Sequence, residues 1–376
     1  MLPAEKSTLY NADEYINPDE DIFERFASKI TSVYFDSPDL YLYKERLARS
    51  QGANLVRVRW YGDQPKGEQV LFLELKTHRE SWVIDKSAKE RVEILEKDMH
   101  LLLERGNQAW DLEYAESIVI AAKKDLNDEE LAKASELMLR IRKLIILRDL
   151  RPAVRTSYTR IAFQSAKSNE LRLTMDRDIV VSDETAAPLG DWFIPDSPDK
   201  ASAVVPCPVF EVKLAGKGMP ASVEELIMKG AIKNGHKFSK FITGISVLNS
   251  ESPHLKTFPY WAAEPIFLKL YAGHEDVSVV SQGDLVGDDP DDDGDMEKGN
   301  AAAAMPARTA GGRVIDYKKP VAPRTRTRIE VSPIMSSKHK VRFLTLPPSQ
   351  NRILLQNVHT SSGLVPACCW LRLRLS

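Results

Sequence analysis

The sequence predicts an α+β fold: an antiparallel sheet whose apolar side lies under helices, followed by a linker and a tail. Three observations predict it. Strand-like and helix-like segments alternate up to about residue 275. Five of the strand-like segments have an apolar side and a side carrying Arg, Lys or Glu, which is the patterning of antiparallel strands. Beyond residue 275 the composition collapses into an Asp run, an Ala run and a basic Pro-rich run, none of which can bury a core.

Taken in order, residues 30–62 read as strand, short helix, strand, with Ser37 and Pro38 suited to the N-cap and first turn of the helix. Residues 68–80 (EQVLFLELKTHRE) alternate as a strand. Residues 86–106 (KSAKERVEILEKDMHLLLERG) read as a helix stopped by Gly106. Residues 127–150 form a second helix with apolar residues at helical spacing. Three strands are expected in 154–164, 169–181 and 208–216. A helix at 222–232 then leads into GHKFSKFITGI (235–245). Three regions result: a globular part over 1–275, a linker over 276–330 that is acidic and then basic, and a tail over 331–376. The tail has neither helical periodicity nor a membrane span.

The faces of the strands carry the chemistry. In NLVRVRWYG (54–62), Arg57 and Arg59 share one side of the strand and Val56 and Val58 the other. Two guanidiniums about 7 Å apart on one face repel each other unless water or an anion lies between them. The same division recurs elsewhere. Leu71, Leu73 and Leu75 oppose Phe72, Glu74, Lys76 and His78, while Phe210, Val212 and Leu214 oppose Glu211 and Lys213. Thr156, Tyr158 and Arg160 share a face, and Leu171 and Leu173 oppose Arg172. Two architectures fit. One is a sheet with a wet face; the other is a barrel with a polar lumen and its apolar exterior under helices. Arginine dominates these faces, and its planar fork matches phosphate oxygens.

Charge and motif content narrow the classes further. The whole-chain net charge of −2 hides an asymmetry: residues 284–298 hold eight acids and one lysine, and without their −7 the remainder stands at +5. Three cysteines (Cys207, Cys368, Cys369) make no disulfide framework and suit a reducing compartment. No stretch approaches 18 apolar residues, and no signal pattern opens the chain. Gly62 and Gly67 have P-loop spacing, but Glu68 follows instead of Lys-Ser/Thr, so there is no Walker motif. Cys207 lies between prolines with no histidine near it, and the seven histidines lack metal-ligand spacing. Trp60 and Tyr61 beside Arg59 could stack on nucleic acid, yet strand packing explains them equally well; no nucleic-acid partner is expected.

At this point seven segments converge on one family. SVYFDSPDLYLYKERLARSQGANLVRVRWYG, ELKTHRESW, KSAKER, TSYTRIAFQ, LRLTMDRD, FEVKL and KFSKFITG, in this order from about residue 30 to 245, resemble the polyphosphate-polymerase subunit of the vacuolar transporter chaperone complex. The resemblance implies a triphosphate tunnel fold, an eight-stranded antiparallel barrel lined by basic residues. It implies transfer of the ATP γ-phosphate onto a growing inorganic polyphosphate chain, with Mn2+ or Mg2+ as the metal. Carried over position by position, it implies that Arg57, Arg59, Lys76, Arg160 and Arg172 act on the reacting phosphates. Arg46, Lys89, Tyr158, Lys237 and Lys240 would bind substrate. Glu211 and, with a poorer motif match, Glu74 would hold the metal. Tunnel proteins carry Glu-x-Glu-x-Lys on that strand, and here Phe72 replaces the first Glu.

Phosphoryl transfer through a loose transition state needs positioning and charge neutralisation more than a strong base, and these residue types supply both. A tunnel triphosphatase, or an accessory subunit that binds polyphosphate without making it, would use the same face. The resemblance also implies partner subunits and a vacuolar or acidocalcisomal membrane location, with this domain on the cytosolic side. Members carry an SPX domain, a further lysine-bearing first strand and membrane helices. Because none of these is recognisable here, an incompletely read gene of the family is expected. The basic run at 317–328 is expected just before the first membrane helix, where it would favour anionic lipid.

Overall fold

A computed structural model describes residues 26–78, 88–106, 110–164, 171–214, 221–235, 237–272, 278–279, 341–345, 353–357 and 369–375. The first 25 residues and nearly all of the expected linker lie outside the described residues. Strands β1 (Ser28–Asp36), β2 (Asn54–Tyr61), β3 (Val70–Thr77) and β4 (Ala88–Leu95) come first, with helix α1 (Tyr41–Leu47) between β1 and β2. Helices α2 (Met99–Leu103), α3 (Leu112–Ala122) and α4 (Asp128–Leu147) follow. The long strands β5 (Arg151–Gln164) and β6 (Leu171–Asp183) come next, then β7 (Ser202–Val204), β8 (Val209–Leu214), α5 (Ala221–Met228), β9 (Ile232–Asn234) and α6 (Lys240–Leu248). Five short strands complete the chain: β10 (Thr257–Phe258), β11 (Ser278–Val279), β12 (Val341–Thr345), β13 (Ile353–Asn357) and β14 (Cys369–Leu375).

One sheet runs β4-β3-β2-β1-β5-β6-β8-β14-β9, with β7 pairing beside β6. Every pairing among β1 to β8 is antiparallel, as the alternating faces predict. Among the described residues the sheet is open: its end strands, β4 and β9, are not paired with each other, so the expected closed barrel is not formed there.

Helices cover the apolar faces. Val56, Val58, Leu71, Leu73, Val92 and Ile94 pack with Met99 and Leu102 of α2, Ile118 of α3 and Met138 and Ile141 of α4 in the main core. A second cluster joins Ile161, Leu173, Met175, Phe210 and Val212 to Val223 of α5. The opposite, polar face is not a wet face. Arg57 is 5% exposed, Arg59 6%, Glu74 0% and Asp176 1%. Helix α6 packs against that polar side at one end, with the Phe241 ring 5.4 Å from Tyr34. Gly244 admits this approach, since a Cβ there would lie 2.6 Å from Val154 Cγ2.

Several sequence expectations are corrected. Residues 88–95, expected as the start of a helix, form β4, which pairs with β3 from Val70–Leu95 to Thr77–Ala88. Glu, Lys and Arg favour helix locally, but burying Val92 and Ile94 on the apolar side of the sheet wins. Only Met99–Leu103 of that expected helix is α-helical. Helix α3 was not expected; Asp111 caps it by accepting from Tyr114 N. Helix α4 begins at the expected place, and Asn127 and Glu130 form a reciprocal capping box. Helix α1 starts at Tyr41, later than the Ser37–Pro38 cap implied. Ser37 Oγ accepts from Tyr41 N at 2.9 Å, and the buried Asp36 carboxylate accepts from the amides of Leu42 and Tyr43. The tail also holds structure that helical periodicity could not show: β14 inserts between β8 and β9, parallel to both.

Candidate functional site

Register brings the polar faces together. Arg57 pairs with Glu74 across β2–β3 and with Tyr34 across β1–β2. Arg59 pairs with Ser32, which pairs with Thr156 of β5. Arg160 pairs with Asp176 of β6, and two steps along β6 Thr174 pairs with Glu211 of β8. Arg172 pairs with Lys213. Beyond β8 the register continues with Arg372 opposite Glu211 and Arg374 opposite Lys213.

Two carboxylates organise the cations. Glu74 accepts from Arg57 Nε at 2.6 Å and forms a second contact with Arg57 Nη2, while Lys89 Nζ lies 2.7 Å from its other oxygen. Arg57 Nη1 donates to Tyr34 Oη at 3.0 Å. Burial alone would raise the Glu74 carboxyl, but the charge of Arg57, with Arg59 and Lys89, outweighs it and holds the group well below the ordinary range. Tyr34 is likewise lowered: Arg57 and Arg59 outweigh its burial. Asp176 accepts from Arg160 Nε at 2.5 Å, from Arg160 Nη2 at 2.8 Å and from Lys240 Nζ at 2.5 Å. Here too burial would raise the carboxyl, and Lys240 and Arg160 together lower it.

Arg59 differs from its neighbours. It donates from Nε to Ser32 Oγ at 3.0 Å and from Nη2 to Tyr158 Oη at 3.1 Å, both neutral partners. Among the described residues no carboxylate lies within ion-pair distance of it. Tyr158 links it to the second cluster, because its ring lies 4.6 Å from Lys240 Nζ and 5.4 Å from Arg160 Cζ. Two buried hydroxyls nearby, Thr156 Oγ1 and Thr174 Oγ1, have no hydrogen-bond partner among the described residues.

The structure therefore gathers Arg57, Glu74 and Lys89 into one cluster, and Arg59, Tyr158, Arg160 and Lys240 into a second on the same face. Lys76 is half-buried on the face of Glu74, in register with Lys89. Arg172 is exposed at the β6 end of the face. Glu211 lies beside Thr174, 3.7 Å from Lys213 Nζ. Arg46 lies apart on α1, donating to Ala53 O just before β2. Lys237 is exposed ahead of α6, with a positive φ of 55°. Sequence reasoning missed Asp176, although it shares the face of Arg172 by simple alternation in Arg172-x-Thr174-x-Asp176. It also missed Tyr34, Ser32 and the two threonines.

Comparison with known proteins supplies the family. The VTC domain model matches residues 4–249. The chain belongs to the VTC-domain family. It is 32% identical over 244 residues to vacuolar transporter chaperone complex subunit 4 of Trypanosoma brucei brucei, covering 62% of this chain and 30% of that protein. It is 31% identical over 259 residues to subunit 4 of Schizosaccharomyces pombe, covering 65% and 35%. Subunit 2 of Saccharomyces cerevisiae is 26% identical over 275 residues, covering 63% and 33%. This VTC-domain chain thus spans about a third of the length of the curated relatives it matches. Among the described residues no helix is long and apolar enough to cross a membrane.

Proposed function

We propose that this chain is the polyphosphate-handling domain of a vacuolar transporter chaperone subunit, and that it adds the γ-phosphate of ATP to an inorganic polyphosphate chain. Arg59 carries the reading. A buried guanidinium satisfied only by neutral hydroxyls is costly unless an anion joins it. Phosphate is the anion that Arg57, Arg160, Lys89 and Lys240 around it can also serve. The burial of Arg57, Arg59, Glu74 and Asp176 at the centre of this face supports a tunnel or trough, where a low dielectric strengthens each contact with the transferring phosphate.

In this mechanism the cations bring two polyanions end to end, and Tyr158 and Ser32 keep Arg59 aimed. The acceptor phosphate is already ionised, so the protein need hold no strong base. Of the two carboxylates expected to bind metal, Glu74 is already committed within the protein. Both oxygens of Glu74 are engaged by cations, and among the described residues no three His, Cys, Asp or Glu converge. One carboxylate plus phosphate oxygens and water suits Mg2+ or Mn2+. Such a metal would supply further neutralisation of phosphate charge.

The likeness to subunit 2 proteins favours a second reading, in which the chain binds polyphosphate without elongating it. Incubation of the full chain with ATP and Mn2+, followed by gel analysis for acid-labile phosphate chains, separates the readings. Long chains support the polymerase, and orthophosphate alone supports a triphosphatase. Polyphosphate binding without ATP turnover supports the accessory role. Failure to bind tripolyphosphate overturns all three.

A further inference from the structure

Asp176 has no role among the site residues that the sequence suggests, yet its carboxylate is buried and held by cations on the polar face. Both of its oxygens are hydrogen-bonded, and the residue is 1% exposed. Its partners come from different elements. Arg160 is on β5, whereas Lys240 is the first residue of α6, capped by Ser239. Glu74, in contrast, bonds only to strand residues. Among the described residues Lys240 also makes the one ionic contact between α6 and the sheet; beside it the packing is apolar, Phe241 on Tyr34 and Gly244 against Val154 and Val181. Through Asp176, then, the two cations flanking the Tyr158 ring are held at 4.6 and 5.4 Å from its centroid, and the same ring bears the hydroxyl that receives Arg59.

We propose that Asp176 is a positioning residue. It holds Arg160 and Lys240 as a paired clamp on an inorganic phosphate chain and seats the start of α6 beside Arg59. This rests on the phosphate reading of the site. The proposal has a sign that electrostatics alone would reverse. Removing a buried negative charge beside a polyanion site raises the local positive potential, so a carboxylate acting only as a competing counter-charge would weaken binding, and its loss would tighten it. A positioning carboxylate does the opposite, because free rotamers of Arg160 and Lys240 must be ordered again on binding.

The experiment measures tripolyphosphate affinity by calorimetry for the wild-type chain, Asp176→Asn, Lys240→Met, Lys240→Arg and the Asp176→Asn/Lys240→Met double variant. All are compared at a temperature where melting curves show each to be folded. Asp176→Asn is expected to lose about tenfold or more in affinity despite the removal of one negative charge. Lys240→Met is expected to lose a similar factor while leaving the Arg160–Asp176 bonds in place. The double variant is expected to be no worse than the weaker single one, since both break the same clamp. Lys240→Arg, whose fork still reaches Asp176, should stay within a few fold of wild type. Unchanged or tighter binding by Asp176→Asn overturns the proposal, as does full additivity in the double variant. If Arg59→Met also binds normally, the phosphate reading has failed rather than the role of Asp176.

Discussion

At the scale of single residues, the two arginines that share a face on β2 do different work. Arg57 neutralises a fully buried carboxylate, so Arg57→Ala leaves Glu74 with Lys89 alone and should cost about 3–5 kcal/mol of stability. Arg59 makes no ion pair and acts on Glu74 only at longer range, so Arg59→Met should cost less stability than Arg57→Ala, while tripolyphosphate affinity falls at least about tenfold. Melting curves beside calorimetric titrations check both, and equal stability losses in the two variants would contradict the distinction. Glu74 and Asp176 also set a pH dependence. Each is held below its ordinary range by neighbouring cations, so each binds a proton less readily in the folded chain than in the unfolded one. The stability they contribute is complete above the unfolded carboxylate value of about 4 and is lost as pH falls below it toward the lowered values. The stability advantage of the wild-type chain over Asp176→Asn, read from urea midpoints, should therefore stay constant from pH 7 to 5 and shrink by pH 3; a constant advantage down to pH 3 would show that the Asp176 carboxyl is not depressed.

At the scale of elements, α6 is the piece whose placement matters most to the site. Glycine within a helix is ordinarily a weakness, and replacing it with alanine gains about 1 kcal/mol. Here the gain is outweighed, because the new methyl would meet the buried Val154 Cγ2 at 2.6 Å, and a short branched side chain in a paired strand has no room to yield. Gly244→Ala should cost about 1–3 kcal/mol net and weaken tripolyphosphate binding by shifting Lys240. Denaturant midpoints and titration of the same variant test both parts, and a more stable protein would refute the packing argument. The capping box of α4 is far from this chemistry. Asn127→Ala should remove about 1 kcal/mol of stability and leave binding untouched.

At the scale of the whole molecule, the placement of β14 is the feature that ties the end of the chain to its centre. Its parallel pairing runs from Trp370–Val209 to Leu375–Leu214 on one side and from Cys369–Ile232 to Leu371–Asn234 on the other. Deleting residues 369–376 would leave the inner edges of β8 and β9 unpaired, and the melting temperature should fall by on the order of 5 °C. Scanning calorimetry of the shortened chain measures it, and an unchanged melting temperature would mean that β14 contributes nothing to the folded sheet.

Much of this was legible in the sequence, for a reason that concerns distance along the chain. Alternation within a strand is local, so Arg57 and Arg59, Lys76 with Glu74, and Arg172 opposite Leu171 and Leu173 could each be assigned a face without any neighbour. The antiparallel character of β1 to β8 and the helix over Asp128–Leu147 followed from the same local periods. Residues 88–95 were misjudged because a single strand at a sheet edge, rich in Glu, Lys and Arg, has the local propensities of a helix; only pairing with β3 decides it. Strand β14 was overlooked because a parallel strand inserted far from its partners leaves no turn signal. The two ion clusters lay furthest out of reach. Arg57 meets Glu74 seventeen residues away and Asp176 meets Lys240 sixty-four residues away. Which cation is ion-paired and which, like Arg59, bonds only to neutral hydroxyls is a property of three-dimensional neighbours. The sequence by itself determined that one face would be basic, and the tertiary structure alone decided which cations on it would be ion-paired, because that depends on residues far apart in the chain.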